Sequence, residues 1–278
     1  MKRDEAKQVA DQALGELAQA LAAGKSEALV RLLDVMGRFH NYSFGNCMLI
    51  ARQMPEATHV AGFRRWLELG RYVRKGETGV GILAPLVYRK RDEDHAPSDE
   101  DGPSIRGFKV VHVFDISQTE GDDLPQLARI QGEPDELLQA LVALIRSSGI
   151  ELKEEALPNG TQGVSRKGEI AVAEGLPPAE LCAVLAHELA HEWMHDKEQR
   201  QQLNKTVRET EAEAVAYVVC RAFGLNCRAR CSDYIQLYDG DQATLAQSLE
   251  RVQQTATRII ASLSHAPVTE EEGQRHVA

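Results

Sequence analysis

The chain has 278 residues, of which 43% are hydrophobic, and a formal net charge of −10 at pH 7. This length accommodates one large or two ordinary domains, and the hydrophobic share is sufficient for packed cores. No apolar run approaches the roughly 18 residues needed to cross a bilayer, and the N-terminus leads into an amphipathic pattern without a signal-like apolar region. These features exclude a membrane-spanning protein, and we expect a cytoplasmic protein with no membrane partner.

The charge is unevenly distributed along the chain. Residues 31–91 contain 11 Lys and Arg against 4 Asp and Glu, whereas residues 121–278 contain 15 against 25. One half is therefore basic and the other acidic, so the negative sum does not by itself exclude a nucleic-acid partner.

The N-terminal part is predicted to be helical. Residues 3–36 have apolar residues at helical spacing that is interrupted at residues 24–26, which predicts two amphipathic helices. A loop rich in aromatic and amide side chains follows, and then an apolar helix that passes through Leu49 and Ile50.

Two later segments are strand-like. Residues 80–86 and 108–114 are rich in β-branched residues, and we expect them to pair and give the first domain a sheet. The intervening residues 91–103 are charged, contain proline and are poor in apolar residues, which predicts a disordered or poorly packed insertion in a hairpin.

Cationic and aromatic side chains are interleaved between residues 38 and 75. Guanidinium and ammonium groups suit phosphates, and flat rings suit the unstacked bases of single-stranded DNA. The alternative is an ordinary core that contains Phe44, Phe63 and Trp66, with a solvated basic face. The candidate DNA-binding residues are Arg38, Tyr42, Asn46, Arg65, Trp66, Arg71, Arg74 and Lys75.

The second half begins after a predicted linker at residues 117–125. A helix is predicted at residues 137–148 and a short strand at residues 168–172, which we expect to form the edge of a cleft and to pair with an extended peptide. Two further helices are predicted around residues 234–237 and 243–263.

Residues 180–195 predict a helix that carries His187 and His191 four positions apart. Two imidazoles at this spacing lie one turn above each other, so that both can reach one Zn²⁺ at about 2.0–2.1 Å. Glu188 is turned about 100° around the helix axis, which puts its carboxylate beside the metal, positioned to take a proton from water. The alternative is a polar surface helix.

Residues 208–220 predict a second helix whose apolar stripe packs on the first. Glu209 and Glu213 share one face, so that one carboxylate can reach the zinc while the other accepts Nδ1–H from a ligand histidine. Glu211 is expected to point elsewhere.

The cysteines are expected to be reduced thiols, because their number is odd and the protein is expected to stay in the cytoplasm. A second metal site at Cys220, Cys227 and Cys231 is disfavoured, because their spacing lacks the Cys-x2-Cys pattern of ordinary zinc sites. The remaining cysteines are Cys47 and Cys182.

The His-Glu-x-x-His helix followed by Glu-x-x-Ala-Glu resembles the gluzincin arrangement of zinc peptidases, and more narrowly the ImmA/IrrE-type metallopeptidase domain. The resemblance implies that His187, His191 and Glu209 are zinc ligands. It also implies that Glu188 is the general base and that Glu213 supports a ligand histidine. The family usually has Asp or Asn at this last position.

Residues from about 5 to 122 resemble the N-terminal domain of ArdC-type antirestriction proteins. Four blocks in the same order carry the resemblance, at residues 38–46, 61–66, 70–77 and 113–119. The resemblance implies binding of single-stranded DNA.

These features together predict an α+β protein with two domains. Residues 1–122 are an ArdC-like single-stranded DNA-binding domain, residues 123–265 are a zincin-like metallopeptidase domain that binds Zn²⁺, and residues 266–278 are a polar tail. The resemblances imply an antirestriction or mobile-element protein that acts on a protein or peptide substrate.

Two alternatives remain open. One is a DNA-binding antirestriction protein whose zincin is catalytically silent, and the other is an ImmA/IrrE-like protease that cleaves a regulatory protein. Retained chemistry is favoured, because a merely structural zinc site has no need of Glu188.

Overall fold

The computed structural model describes residues 2–25, 27–88, 104–123, 134–195, 203–225 and 242–264. The structure combines runs of helices with runs of strands, which confirms the predicted α+β class. The helices are α1 (Arg3–Ala22), α2 (Glu27–Arg38), α3 (Phe44–Gln53), α4 (Phe63–Glu68), α5 (Pro134–Ser147), α6 (Pro178–Met194), α7 (Lys205–Ala222) and α8 (Gln242–Ser264). The strands are β1 (Val60–Gly62), β2 (Arg71–Val73), β3 (Val80–Tyr88), β4 (Ser104–Asp115), β5 (Thr119–Gly121), β6 (Glu151–Glu155), β7 (Gly163–Ser165) and β8 (Glu169–Ala173).

The described strands form three small sheets. β4 lies between β1 and β3 and is antiparallel to both, with Val80 opposite Val113, which confirms the predicted pairing of the two strand-like segments. β2 and β5 form a second, two-stranded sheet. In the third sheet the order is β6-β8-β7, with β6 parallel and β7 antiparallel to β8.

Side-chain amides attach α3 to the first sheet. The Ser43 hydroxyl accepts from the backbone N–H of Asn46 and so caps the start of the helix. Asn46 then pairs with both backbone groups of Leu83 at 2.9 Å, and Gln53 pairs with both backbone groups of Gly81 at 2.9 and 3.0 Å. These bonds satisfy polar groups on the edge strand β3 and hold it against the helix.

The C-terminal half packs helices α5 to α8 together, with the third sheet against α6. Pro177 and Pro178 lie at the start of α6. Proline is tolerated there because backbone N–H groups in the first turn have no hydrogen-bond acceptor within the helix. The apolar stripe predicted for α7 is buried, as expected. Its members are Ala212, Val215, Ala216 and Val219.

The two halves of the chain share one continuous apolar cluster. Helix α2 packs on α7, where the Asp34 carboxylate accepts hydrogen bonds from the Tyr217 hydroxyl and the Arg221 guanidinium, each at 2.8 Å. The loop that precedes α3 contacts α8, because Gln253 donates to the backbone carbonyl of Tyr42 at 3.0 Å. The predicted domain boundary therefore stays a prediction based on sequence.

Several sequence predictions concern residues that the structure does not describe. They are the insertion at 91–103, the helix at 234–237, the cysteines at 227 and 231, and the tail at 266–278. Cys47, Cys182 and Cys220 are buried free thiols, as expected. Within the described ranges, none of the helices is long and apolar enough to cross a membrane.

Candidate metal centre

Two helices bring three metal-ligating side chains to one point. His187 and His191 lie one turn apart on α6, with their Nε2 atoms 3.1 Å from each other. Glu209 on α7 places Oε2 3.5 Å from each of these nitrogens. These are the three residues that the sequence predicts as ligands.

The separations of the ligand atoms fit a divalent metal ion. A tetrahedral zinc ion with bonds of about 2.0–2.1 Å keeps neighbouring ligand atoms about 3.3–3.4 Å apart. The observed separations of 3.1, 3.5 and 3.5 Å are close to that length. In the described part of the chain, these side chains form the one group of at least three His, Cys, Asp or Glu residues close enough to hold a metal ion.

The electrostatics of the cluster favour a bound cation. Burial alone would lower the pKa of His187, but the carboxylates of Glu209 and Glu213 outweigh it and raise this pKa to about 9. The contacts with the two histidines hold the pKa of Glu209 well below its usual range. A carboxylate that binds protons this weakly is available to a metal ion across the physiological pH range.

Glu188 is buried beside the cluster, with 6% of its surface exposed. Burial raises the pKa of its carboxyl to about 7, although the positive charge on His187 opposes this shift. A base with a pKa near the working pH is well matched to proton transfer. Strand β7 covers this side chain so closely that a Cβ added at Gly163 would lie 2.7 Å from Glu188 Oε1.

The two histidines have different partners on their Nδ1 sides. Nδ1 of His187 lies 3.3 Å from Oε2 of Glu213, the residue predicted to support a ligand histidine, at an ion-pair distance without hydrogen-bond geometry. Nδ1 of His191 lies 3.0 Å from Nδ1 of His195. His195 Nε2 in turn lies 3.1 Å from Oε2 of the buried Glu211.

The expectation that Glu211 points away from the site is therefore incomplete. Its carboxylate is not one of the three clustered ligands, yet it is linked to His191 through His195. Burial alone would raise the pKa of Glu211, but hydrogen bonds from His195, Arg251 and Ser248 outweigh it and lower this pKa. The signal for His195 was present in the sequence, because it follows His191 at the same four-residue spacing that identified the ligands.

Strand β7 forms the edge of the cleft, and this corrects the prediction made for residues 168–172. That segment, observed as β8, is the central strand of its sheet, with β6 and β7 on either side. A cavity of about 530 Å³ separates β7 from α7. Its lining comprises Thr161, Gly163, Val164, Ser165, Glu188, His191, Lys205, Arg208 and Glu209.

Glu192 fixes the turn between β7 and β8. Its carboxylate accepts hydrogen bonds from the Ser165 hydroxyl and from the backbone N–H groups of Lys167 and Gly168, the latter two at 3.0 and 2.8 Å. Lys167 has a φ of 55°, in the left-handed region. This anchor on α6 sets the position of the edge strand relative to the metal ligands on the same helix.

A second cavity, of about 570 Å³, lies among α1, α2 and α3 and away from the metal cluster. Arg52 and Glu16 on its wall form a two-point ion pair at 2.9 and 3.1 Å, so their charges are directed at each other.

Three of the arginines predicted to bind DNA are engaged with the protein backbone. Arg38 donates to the carbonyls of Pro55 and Ala57. Arg71 donates to Thr119 and to carbonyls on β5 and just beyond it. The remaining member, Arg74, donates to Glu77 and to the carbonyl of Ser117.

Three other predicted DNA contacts serve the fold. The Trp66 ring is 2% exposed and donates to the Phe114 carbonyl at 2.8 Å, so neither face can stack on a base. Asn46 is buried in its pairing with β3. The Tyr42 hydroxyl donates to the Val60 carbonyl at 3.3 Å. The burial of Trp66 favours the core alternative for that residue, and the DNA contacts of Trp66 and Asn46 stay predictions.

The basic segment also has cations and rings that are exposed to solvent. Lys75 is exposed, and Arg65 is exposed while paired with Glu68 at 2.9 Å. The exposed rings are Phe63 and Tyr72, with 52% and 60% of their surfaces accessible. Composition could not identify them, because a short helix and a three-residue strand leave no periodicity that separates inner from outer faces.

Comparison with known families agrees with the two halves seen in the sequence. Residues 3–114 match the family described as the N-terminal domain of anti-restriction factor ArdC. Residues 145–220 match the peptidase family described as the IrrE N-terminal-like domain. The chain is therefore similar to an ArdC-type N-terminal domain over residues 3–114 and to an IrrE-like, peptidase-type domain over residues 145–220.

Individual proteins show more distant similarity. An uncharacterized protein of Bacillus anthracis is 24% identical over 94% of this chain and 51% of its own length, so the chain spans about half of that relative. The metal-free and Mn(II)-bound crystal structures of antirestriction ArdC from plasmid R388 are each 19% identical in sequence to the present chain. The similar regions span 79% and 80% of this chain and 84% of each ArdC chain, with TM-scores of 0.49 and 0.48.

Proposed function

We propose that the protein is a zinc metallopeptidase that also binds single-stranded DNA, in an antirestriction or mobile-element role. The observation that most supports peptidase activity is the position of the buried Glu188 carboxylate, between a three-ligand cluster and the edge strand of a cleft. The observations that support DNA binding are the match to the ArdC N-terminal domain and the exposed cations and rings of the basic segment.

Each residue of the site has a separate role in the proposed peptidase chemistry. His187, His191 and Glu209 hold the metal, and two imidazoles with one carboxylate suit zinc. When bound, zinc polarises the peptide carbonyl and lowers the pKa of water toward about 7. Glu188 takes the proton from the attacking water and then passes it to the leaving amine.

Strand β7 is suited to hold an extended peptide across the cleft. Among the described strands it pairs with β8 alone, so its outer edge can add a further strand. The peptide would then lie in the cavity of about 530 Å³, next to Glu188. Lys205 and Arg208 on the opposite wall add positive charge, which favours acidic side chains in the substrate.

Metal content and peptide cleavage test this proposal together. Elemental analysis of the full chain should find about one zinc, which His187→Ala and Glu209→Ala abolish and Glu188→Gln retains, because Glu188 is not a ligand. A proteome-derived peptide library read by mass spectrometry should be cleaved by the wild type and not by Glu188→Gln. Glu174→Gln is the matched control, because this exposed glutamate lies outside the cleft.

The same variants separate the alternatives. If His187→Ala retained zinc in full, the proposed metal site would be refuted. Zinc binding without any cleavage by the wild type would favour a catalytically silent zincin. Cleavage confined to one protein, with the peptide library left intact, would favour a protease directed at a regulator.

The DNA interface is proposed at the exposed part of the basic segment. Lys75 and Arg65 supply cations there, while Phe63 and Tyr72 supply stacking surfaces. Arg38, Arg71 and Arg74 remain in the proposal as a source of positive potential, although backbone carbonyls take up many of their donors.

Fluorescence anisotropy of the full chain with labelled oligothymidylate, across a salt series, tests the interface. Lys75→Ala should reduce the log-log salt slope by about 0.7, the value for one phosphate contact on a single strand. Tyr72→Ala should weaken binding by about 1–3 kcal/mol with an unchanged slope, because stacking releases few counterions. Phe108→Ala removes a comparably exposed ring outside the segment and should have no effect. Absence of binding at low salt would refute the DNA-binding role.

A further inference from the structure

A buried chain of side chains extends from the metal cluster into the core. His191 directs Nε2 toward the other ligands and places Nδ1 3.0 Å from Nδ1 of His195. Nε2 of His195 lies 3.1 Å from Oε2 of Glu211, and Oε1 of Glu211 is paired with Arg251 on α8. The side chains of His195 and Glu211 are 1% and 0% exposed, so water is excluded from the middle of this row of side chains.

The chemistry of these contacts determines where the protons are. The Glu211 carboxylate can only accept, so His195 must donate to it through Nε2–H. A neutral imidazole with a proton on Nε2 has an unprotonated Nδ1, which accepts a hydrogen bond from the Nδ1–H of His191. His191 then carries its proton on Nδ1, and its Nε2 lone pair is free for a metal ion.

Arg251 makes it possible for a charged carboxylate to be buried at the end of this row of side chains. An unpaired buried carboxylate is strongly unfavourable, and it is retained only when its charge is compensated and its oxygens are hydrogen-bonded. The guanidinium supplies the opposite charge, and Ser248, itself fully buried, supplies a further hydrogen bond. Two helices that follow α6 in the sequence, α7 and α8, therefore meet at this carboxylate.

The geometry points to His195, Glu211 and Arg251 as positioning residues of the metal centre. This inference rests on the metal site of the proposed function. The three residues select the tautomer of His191 and fix the orientation of its ring, while His187 is supported separately by Glu213. His191 thus depends on a neutral histidine held by a buried ion pair, and His187 depends on a single, more exposed carboxylate.

The first test measures zinc affinity by competition with a chromogenic chelator. Glu211→Gln keeps the shape of the side chain but can turn an amide N–H toward His195, so we expect zinc to bind about 10–100-fold more weakly. Asp34→Asn is the matched control, because it neutralises a carboxylate that accepts hydrogen bonds from Tyr217 and Arg221 at the other end of α7. Its zinc affinity should stay within about twofold of the wild type, even where its loss of stability is similar.

A second measurement needs no variant and excludes a merely structural role. Nitrogen-15 chemical shifts of the imidazoles in the zinc-loaded wild type should show His195 neutral, protonated at Nε2 and unprotonated at Nδ1. A proton on Nδ1 of His195, or unchanged zinc affinity in Glu211→Gln, would overturn the inference. If the wild type itself binds no zinc, the proposed function fails instead, so the two failures are distinguishable.

Discussion

Gly163 is the position at which one added methyl group should slow peptide cleavage and leave the metal in place. A Cβ built there would lie 2.6 Å from Val184 Cγ1, 2.7 Å from Glu188 Oε1 and 2.9 Å from Glu188 Cγ. Distances below about 3.0 Å require a shift, and Val184 belongs to the buried part of α6. Either β7 moves away from the helix or the Glu188 carboxylate turns.

The size of the effect follows from the cost of overpacking, which is about 1–3 kcal/mol for a well-packed site. If this cost is met by displacing Glu188, cleavage should slow by about 5- to 150-fold. Bound zinc should remain, because the closest atoms to the new methyl group belong to Val184 and Glu188 and to neither histidine.

The assay compares cleavage of the peptide library, zinc content and thermal stability in Gly163→Ala. Gly62→Ala is the control, because its φ is −67° and a Cβ there meets no atom within 4 Å. Full cleavage by Gly163→Ala, in a preparation where Glu188→Gln is inactive, would show that β7 yields without moving the base. Loss of zinc would show that the cluster is less independent of β7 than the distances indicate.

Three further predictions follow from individual contacts. Glu213→Gln should weaken zinc binding about 10–100-fold in a chelator competition, because it weakens the support of His187 without removing a ligand. Arg208→Gln should reduce the preference for acidic peptides about fivefold, corresponding to about 1 kcal/mol, measured as ratios of kcat/KM. Asp115→Asn should destabilise the protein by about 2 kcal/mol at pH 7 in urea denaturation, since its carboxylate accepts from three backbone N–H groups.

The Asp115 prediction has a definite pH dependence. Burial alone would raise the pKa of this carboxyl, but hydrogen bonds from Ser117, His59 and Thr58 outweigh it and lower the pKa. The stabilisation is therefore complete above the unfolded value of about 3.9 and disappears as pH falls through the lower folded value. The difference between wild type and variant should shrink below about pH 4, whereas Asp11→Asn, an exposed control, should show no such trend.

The sequence predicted the metal ligands because their arrangement is local. His187 and His191 need only one regular helix to meet, and Glu209 needs a second helix with one apolar stripe. The pairing of β3 with β4 was predictable for a similar reason, since both strands are long enough to show their pattern.

Other features were out of reach because they depend on tertiary contacts. Strand β7 has three residues, too few for a periodic signal, so the sequence pattern favours the longer β8 as the edge strand. Composition marks Trp66 as aromatic among cations and does not show that its ring faces β4. The partner of His195 is a carboxylate held by Arg251, a residue 40 positions further along the chain.

The two halves recognised in the sequence are not independent in the structure. Helix α7 carries metal-site residues near its start and binds Asp34 of α2 through Tyr217 and Arg221 near its end. Helix α8 repeats this arrangement, because Arg251 pairs with Glu211 and Gln253 binds the loop before α3.

This shared packing predicts a single unfolding transition for the full chain. Separation of the halves would expose the buried faces of α2 and α7, which belong to one apolar cluster, and would leave the Asp34 carboxylate without two partners. Calorimetry should therefore give one peak with equal calorimetric and van't Hoff enthalpies. Two resolved peaks would contradict this reasoning. An N-terminal half packed in this way does not move as a free module, so any strain on α2 or on the loop before α3 is passed to α7, which carries Glu209, and to α8, which carries Arg251.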